Sequence, residues 1–226
     1  PNAIERLKED LNMEVYPRKI EGFDNSNIQG KYPVAGMVCF IDGKPVKKEY
    51  RKFNIKSVKG IDDFKSMYEV VYRRYSRVLK EKMKLPDLIL IDGGKGQLSS
   101  AKSALNHLGL SYITVIGLAK KLEEVYLPNY TEPQNIAKHS PSILLLRKIR
   151  DEVHRYAISF HRTKRKKQEN RSILLDIPGM GPKRVKVFWN NFNSFDEVSK
   201  LTTLKIQNKT KFPISICEKI LKKVRS

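Results

Sequence analysis

Apolar positions along this chain follow two periods, and the change from one to the other outlines its elements. Ile4, Leu7 and Leu11 fall at helical spacing in a polar opening stretch that runs to Arg18. Lys19 to Asp24 (Lys-Ile-Glu-Gly-Phe-Asp) reads as a first strand. Pro33 to Ile41 is a long apolar run ending in Asp42-Gly43, a pair that predicts a hairpin turn. Val46 to Ile55 then alternates, with Tyr50, Phe53 and Ile55 set among lysines as in an outer strand. Three strands with short connections predict an antiparallel meander.

The period then lengthens. After Asp62-Asp63, residues Phe64, Met67, Val70, Val71 and Leu79 give an amphipathic helix. Its acidic start and basic end (Arg73, Arg74, Arg77, Lys80) both suit the helix dipole. Leu88 to Ile91 is short and continuously apolar, the pattern of a buried parallel strand. Gly93-Gly94 leads into a helix from about Gln97 to Leu108, closed by Gly109. Tyr112 to Leu118 is another strand, and Lys120 to Gln134 is irregular. Ser140-Pro141 is a cap followed by proline at the first helical position, predicting a helix to about Lys167. This order predicts an α/β fold: an RNase H-like mixed five-stranded sheet with flanking helices. Its inner strands would carry Asp24 and Asp92 side by side.

From His161 to Arg171 apolar residues vanish, and the domain boundary is placed there, giving residues 1–168 and 169–226. The basic run is either a solvated helix end or linker, or a strap that contacts phosphate. The remainder reads as small and all-helical. Leu174-Leu-Asp-Ile-Pro-Gly179-Met-Gly181-Pro-Lys183-Arg184 matches a helix–hairpin–helix phosphate-binding signature, against the alternative of a plain interhelical loop. Gly179 and Gly181 would allow positive φ and close approach to a phosphate, and the next helix would aim free N–H groups at it.

Charge sharpens the picture. The 226 residues hold 45 Lys and Arg against 24 acids, a formal net charge of +21. That balance points to phosphate backbone first and to an anionic membrane only second. No apolar stretch approaches the ~18–20 residues of a spanning helix. Cys39 and Cys217 lack metal-binding spacing and predict a reducing, cytoplasmic setting. No signal peptide is evident, and the start at Pro1 predicts a fragment of something longer.

In so basic a chain, carboxylates at strand ends are an electrostatic exception that a divalent metal would offset. Asp24 is either a metal ligand or an Asx cap on Asn25-Ser26-Asn27, and Asp92 is either a ligand or part of a strand-ending turn. Together, on adjacent strands, they would offer hard oxygen ligands to Mg2+ or Mn2+ for phosphodiester hydrolysis. Asp62 and Asp63 are more often helix caps than ligands. His154, in Arg150-Asp-Glu-Val-His154-Arg155, is a surface or core histidine, or a third ligand.

These residues resemble the C-terminal half of the UvrC family. The resemblance covers nearly the whole chain and includes Ile20-Glu-Gly-Phe-Asp24-Asn-Ser, Glu49-Tyr-Arg-Lys-Phe-Asn-Ile55, Asp62-Asp63, Arg73-Arg74-Tyr75 and Leu90-Ile-Asp92-Gly-Gly-Lys95-Gly-Gln97. Gly117-Leu-Ala-Lys-Lys121, Ile149-Arg-Asp-Glu-Val-His154-Arg155 and the hairpin segment complete it. It implies an RNase H-like endonuclease domain followed by a tandem helix–hairpin–helix domain, which makes the 5′ incision in damaged double-stranded DNA during nucleotide excision repair. The family's N-terminal half, which makes the 3′ cut and docks on damage-bound UvrB, is not in this sequence. Implied partners are damaged DNA, UvrB and the UvrA–UvrB damage-recognition system, with no membrane. Implied catalytic residues are Asp24, Asp92 and His154, with Asp63 in support. DNA contacts are expected from Lys95, Arg155, Lys164, Arg165, Gly179, Gly181, Lys183 and Arg184. The chain departs from the family at Lys211-Phe-Pro-Ile-Ser-Ile216, a second hairpin without glycine, where Phe212, Ile214 and Ile216 are expected to pack beneath the first. Two other function classes fit the same residues: a catalytically silent DNA-binding module, and a nuclease of RNA–DNA hybrids.

Overall fold

The structure, a computed structural model, describes residues 2–26, 33–57, 62–119 and 123–226. Asn27, the far end of the turn considered for Asp24, and Lys120-Lys121 lie outside them. The chain divides into two compact units, Pro1–Arg162 and Thr163–Ser226.

The first unit contains α1 (Ala3–Asp10), β1 (Lys19–Ser26), β2 (Val34–Ile41), β3 (Lys44–Pro45), β4 (Arg51–Asn54) and α2 (Asp63–Lys80). There follow β5 (Leu88–Asp92), α3 (Lys95–His107), β6 (Thr114–Leu118), β7 (Val125–Tyr126) and α4 (Pro141–Leu175), whose last turns belong to the second unit. The sheet order is β3-β2-β1-β5-β6-β7, with β4 also paired to β2. β1, β5 and β6 are mutually parallel, while β2, β3, β4 and β7 join antiparallel. The α/β class and mixed sheet are as expected, but the sheet has seven strands rather than five.

Local chemistry accounts for the extra strands. Asp42 and Gly43 both have positive φ, +49° and +77°, the backbone of a tight hairpin turn. The returning strand stops at Pro45, which has no N–H to continue a ladder, and Lys47–Glu49 form a 3-10 turn before β4 resumes. The expected strand from Val46 to Ile55 is therefore shortened to Arg51–Asn54. β7 adds two residues within the stretch expected to be irregular. The helix through the basic run does not stop near Lys167 but continues to Leu175, so His161–Arg171 is helical and not a linker.

Period-two alternation sorts the sheet into two faces. Phe23, Met37, Ile89, Ile91 and Val115 point to one core, shared with Met67, Val70, Val71 and Val78 of α2 and with Leu98, Ala101 and Leu105 of α3. Ile20, Val38, Leu88, Leu90 and Ile116 point to the other, shared with Ile4 and Leu7 of α1 and with α4. The α4 residues are Leu146, Ile149 and Val153, which with Ala157 form a stripe of fully buried positions at helical spacing. α4 lies close because two facing strand positions are glycines. A Cβ on Gly22 would stand 2.9 Å from Ile149 Cγ2, and one on Gly36 would stand 3.2 Å from the backbone nitrogen of Ala157.

On the α2 face the sheet buries one acid. Glu21 is fully buried and accepts from Arg74 at 2.8 Å and from the Tyr75 hydroxyl at 2.8 Å, with Lys19 Nζ at 3.6 Å. Burial, reinforced by the Glu21 charge, pushes the Tyr75 phenol well above its usual pKa. Arg74 therefore does more than complement the helix dipole: it sits 3 % exposed inside the core. Phe64 and Leu79, read as part of the apolar stripe of α2, are instead 56 % and 42 % exposed. Cys39 and Cys217 are buried and unbonded, and burial pushes the Cys39 thiol up to about 11. No helix among the described residues is long and apolar enough to cross a membrane.

The second unit holds α5 (Pro182–Asn191), α6 (Phe195–Ser199), α7 (Thr203–Thr210) and α8 (Ile214–Arg225). Its core gathers Leu174, Met180, Val185, Phe188, Phe192, Val198, Ile206, Phe212, Cys217 and Ile220.

Removing one partner of the Glu21–Arg74 pair leaves a buried charge uncompensated. Arg74→Met is expected to destabilise the first unit by about 3–5 kcal/mol, read by urea unfolding. Adding Glu21→Gln should recover part of that loss. An unchanged midpoint in Arg74→Met would show that the pair is not holding β1 to α2.

Candidate functional site

Strand parity aims two acids at α4. Asp24 has the parity of Ile20, and Asp92 that of Leu88 and Leu90, so both face the side where α4 packs. The parallel register Phe23↔Ile91 sets Asp24 beside Asp92. Both are 3 % exposed. Asp92 is the last residue of β5, while β1 continues two residues beyond Asp24, to Ser26. Asp24 therefore lies within a strand rather than capping a turn. Its cross-strand partner is Gly36, which has no side chain to fill the space that α4 enters.

His154 follows Val153 at the shoulder of the buried stripe. Its Nδ1 is 2.7 Å from Asp24 Oδ2 and 3.7 Å from Asp92 Oδ2, and its side chain is 44 % exposed. One ligand atom from each of the three residues lies within 4.8 Å of the others. Two buried carboxylates this near repel one another in a low-dielectric setting. Two hard oxygens and one imidazole nitrogen, with one exposed side, fit a divalent cation that keeps open positions for water or substrate oxygen.

The other candidates are placed around this group. Asp62 is the helix cap, accepting from Lys65 N at 3.0 Å. Asp63 is the first residue of α2, and its carboxylate is not among the grouped ligand atoms. Its main-chain carbonyl instead accepts from Asn25 Nδ2 at 3.1 Å, which ties α2 to the strand end carrying Asp24. That tether was not visible in the sequence. Gly22 and Gly36 do leave a sequence signal, since a glycine inside an apolar strand marks close backbone approach.

Comparisons with known proteins place the chain. Residues 8–158 match the model of the UvrC RNAse H endonuclease domain, a span that contains Asp24, Asp92 and His154. The chain belongs to the UvrC RNase H endonuclease domain family. This is therefore an endonuclease domain. The chain is 48 % identical over 198 residues to UvrABC system protein C of Prosthecochloris aestuarii, covering 88 % of this chain and 32 % of that protein. It is 49 % identical over 201 residues to the protein of the same name from Flavobacterium johnsoniae, covering 88 % and 34 %. The chain thus spans about a third of the length of the curated relatives it matches. Among solved structures, Ciona intestinalis endonuclease V in complex with an inosine-containing DNA aligns over 54 % of this chain and 56 % of that one, at 20 % identity and a TM-score of 0.37.

In this UvrC-family chain, the basic residues expected to meet DNA are partly committed to internal bonds. Lys95 Nζ bonds the Thr131 carbonyl and lies 5.1 Å from the Tyr126 ring centre. Arg155 makes two 2.8 Å bonds to Glu152, which also accepts from the Tyr50 hydroxyl at 3.0 Å. Arg165 pairs with Glu169 at 3.3 Å. Burial lowers the pKa of Lys164.

The first hairpin, between α4 and α5, is held from within. Gly179 has φ +94°, and a Cβ there would stand 3.0 Å from Ile216 Cδ1. Arg184 donates back to the Gly179 carbonyl at 2.6 Å, and Lys183 is exposed. Gly181 differs from the expectation: its φ is −83°, it caps α5, and its Cβ would meet nothing within 4 Å. In the second hairpin, Phe212 and Ile216 are buried as expected, while Ile214 is 45 % exposed and packs nothing down.

The two glycines should therefore respond differently. Gly179→Ala is expected to lower the stability of the second unit by about 1–2 kcal/mol, the strain of a left-handed residue. Gly181→Ala should cost well under that. Thermal melts of the two variants decide it, and equal losses would contradict the different backbone states.

Proposed function

We propose that this chain is a divalent-metal-dependent endonuclease that makes the 5′ incision in damaged DNA during nucleotide excision repair. The Asp24–Asp92–His154 cluster carries the reading, because it sets three donors on one face of a nuclease fold. The name of the relatives, UvrABC system protein C, supports work alongside UvrB and the UvrA–UvrB damage-recognition system. The unbonded cysteines suit the reducing cytoplasm. Residues 169–226 would act as a tandem helix–hairpin–helix domain that grips backbone without reading bases.

Asp24 and Asp92 would hold Mg2+ or Mn2+ from two adjacent strands, with His154 closing the third side. A cation so bound supplies Lewis-acid polarisation of the phosphodiester and a water of lowered pKa. The chain's own work is positioning. Backbone ladders on both sides of β1 fix Asp24, and the buried stripe of α4 fixes His154, so the donors need little reorganisation. Asp63 would support the site through the tether of α2 to Asn25. Lys95, Arg155, Lys164, Arg165, Lys183 and Arg184, with the backbone at Gly179 and Gly181, would contact phosphate, the exposed α5 start offering free N–H groups.

Asp24→Asn, Asp92→Asn and His154→Ala should each lower nicking of a lesion-containing duplex by about 100-fold or more, since even outer partners of a metal ligand are worth 10–100-fold. Affinity for the same duplex should hold or rise slightly, because a carboxylate that repels phosphate has gone. Nicking and gel-shift titration on one preparation test this, with chelator as the metal control. Full-rate cutting by Asp92→Asn would end the reading. Uncut duplex in every case would favour a silent binding module, and cutting of an undamaged RNA–DNA hybrid would favour a hybrid nuclease.

A net charge of +21 makes a second measurement decisive. Binding should vary little with sequence and fall by about 1,000-fold between 50 and 200 mM salt if ~6 phosphates are contacted. A flat salt response would rule out backbone contact as the source of affinity.

A further inference from the structure

The second unit carries a groove whose lining does not include the hairpin residues 176–181. Its volume is about 680 Å³, and it runs between the last turns of α4 and the α5–α6 connection. Its floor is aromatic. Trp189, the single tryptophan of the chain, lies 5.3 Å from Phe195 with the ring planes 30° apart, and Phe188 meets its edge at 4.9 Å and 90°. Trp189 and Phe195 pack on that core and remain partly exposed, while Phe188 is buried beneath them. The rim is cationic. Lys166, Lys167 and Arg171 are exposed on α4, with no carboxylate within 4 Å among the described residues. The acid at the opposite rim, Asp196, is paired with Lys200 at 2.9 Å. A second depression shares Arg171 and Trp189 and adds Lys183 and Lys186, so cations continue past the tryptophan.

Pre-positioned rings flanked by unneutralised cations suit a ligand with a flat π-face and a nearby negative charge. A nucleotide has both. In a duplex each base face is covered by its neighbours, so a ring in a groove can reach only an unpaired base. We propose that this groove binds an unpaired nucleotide of single-stranded DNA, its base against Trp189 and Phe195 and its phosphates among Lys166, Lys167 and Arg171. The proposal rests on the reading that this chain acts on DNA and adds a second point of grip, one that selects unpaired strand where the hairpin grips backbone. Stacking tolerates every base, so the groove would be indifferent to sequence.

Trp189 is its own reporter. Titrating the chain with an eight-nucleotide thymidine strand should quench its tryptophan fluorescence saturably. A strand of the same length and charge without bases should bind about tenfold more weakly and quench little, since stacking contributes on that order per base. Arg171→Gln and Lys167→Gln, both exposed and safe for folding, should each weaken thymidine-strand binding several-fold. Trp189→Phe, followed with a labelled strand, should bind more tightly than Trp189→Leu. Equal binding by the strand without bases overturns the proposal, as does quenching by an acidic peptide of matched charge to the same extent. Absent quenching with duplex binding intact removes the groove and leaves the nuclease reading standing. Loss of both duplex and single-strand binding in the unaltered chain removes both.

Discussion

Helix α4 can lie against the sheet only because Gly22 and Gly36 present no side chain to it. A Cβ at either position would stand within about 3.2 Å of α4 atoms, closer than packed carbon atoms tolerate. That approach seats Ile149 over Gly22 and Ala157 over Gly36, and it leaves His154 level with Asp24, the cross-strand partner of Gly36. The cluster is therefore a by-product of packing distance. Filling either glycine would move the imidazole away from the acids before it touched either acid directly. Stability and site geometry share one constraint here, and it belongs to residues with no side-chain chemistry of their own.

β1 then shows how a fold separates structural from reactive charge. Glu21 and Asp24 are both buried in the same strand, but their parities differ. Glu21 points to α2, where Arg74, Tyr75 and Lys19 surround it, so its charge is compensated inside the protein. Asp24 points to α4, beside Asp92 and a half-exposed imidazole. An ion pair closed on all sides has no capacity left for a ligand, whereas a paired set of carboxylates with one side toward solvent does. The distinction follows from geometry, since an acid count alone would have ranked the two alike.

Much of this was legible in the sequence, for a physical reason. Continuous apolar runs such as Pro33–Ile41 and Leu88–Ile91, and the periodic stripe of α2, dictate elements because burial dominates their energetics. The order of the elements then put Asp24 and Asp92 side by side on inner strands, and family motifs supplied His154. What escaped were pairings across long separations. Glu21 with Arg74, and Asn25 with the Asp63 carbonyl, leave no periodic trace. Breaks that depend on one missing N–H, such as Pro45 ending β3, also escaped, as did a helix that persists through a run with no apolar residue. Lys164 to Arg171 is helical because its lysines, arginines and glutamate are good helix formers, which an apolar-periodicity reading does not register. Phe64 and Leu79 failed for the opposite reason: apolar character marks what can be buried, not what is.

The hairpins show the limit of reading conformation from glycine. Gly179 occupies the left-handed region at φ +94°, and the glycine-free second hairpin reaches the same region with Lys211 at φ +61°. A non-glycine residue held there costs about 1–2 kcal/mol, so something must hold it. The holding contacts are nearby: Phe212 and Ile216 are buried, and Thr210 Oγ1 accepts from Phe212 N at 3.3 Å while donating to the Ile206 carbonyl at 2.8 Å. Lys211 keeps its own turn by bonding its N–H to the Gln207 carbonyl at 2.7 Å. The turn is thus enforced by tertiary packing in one hairpin and eased by local freedom in the other. Gly181 completes the argument from the other side, being a glycine whose φ of −83° requires none. Its open surroundings leave the start of α5 accessible, which is the property that backbone capture of a phosphate depends on. At these two glycines the sequence motif reports two separate needs, a reversed backbone at one and an unobstructed approach at the other.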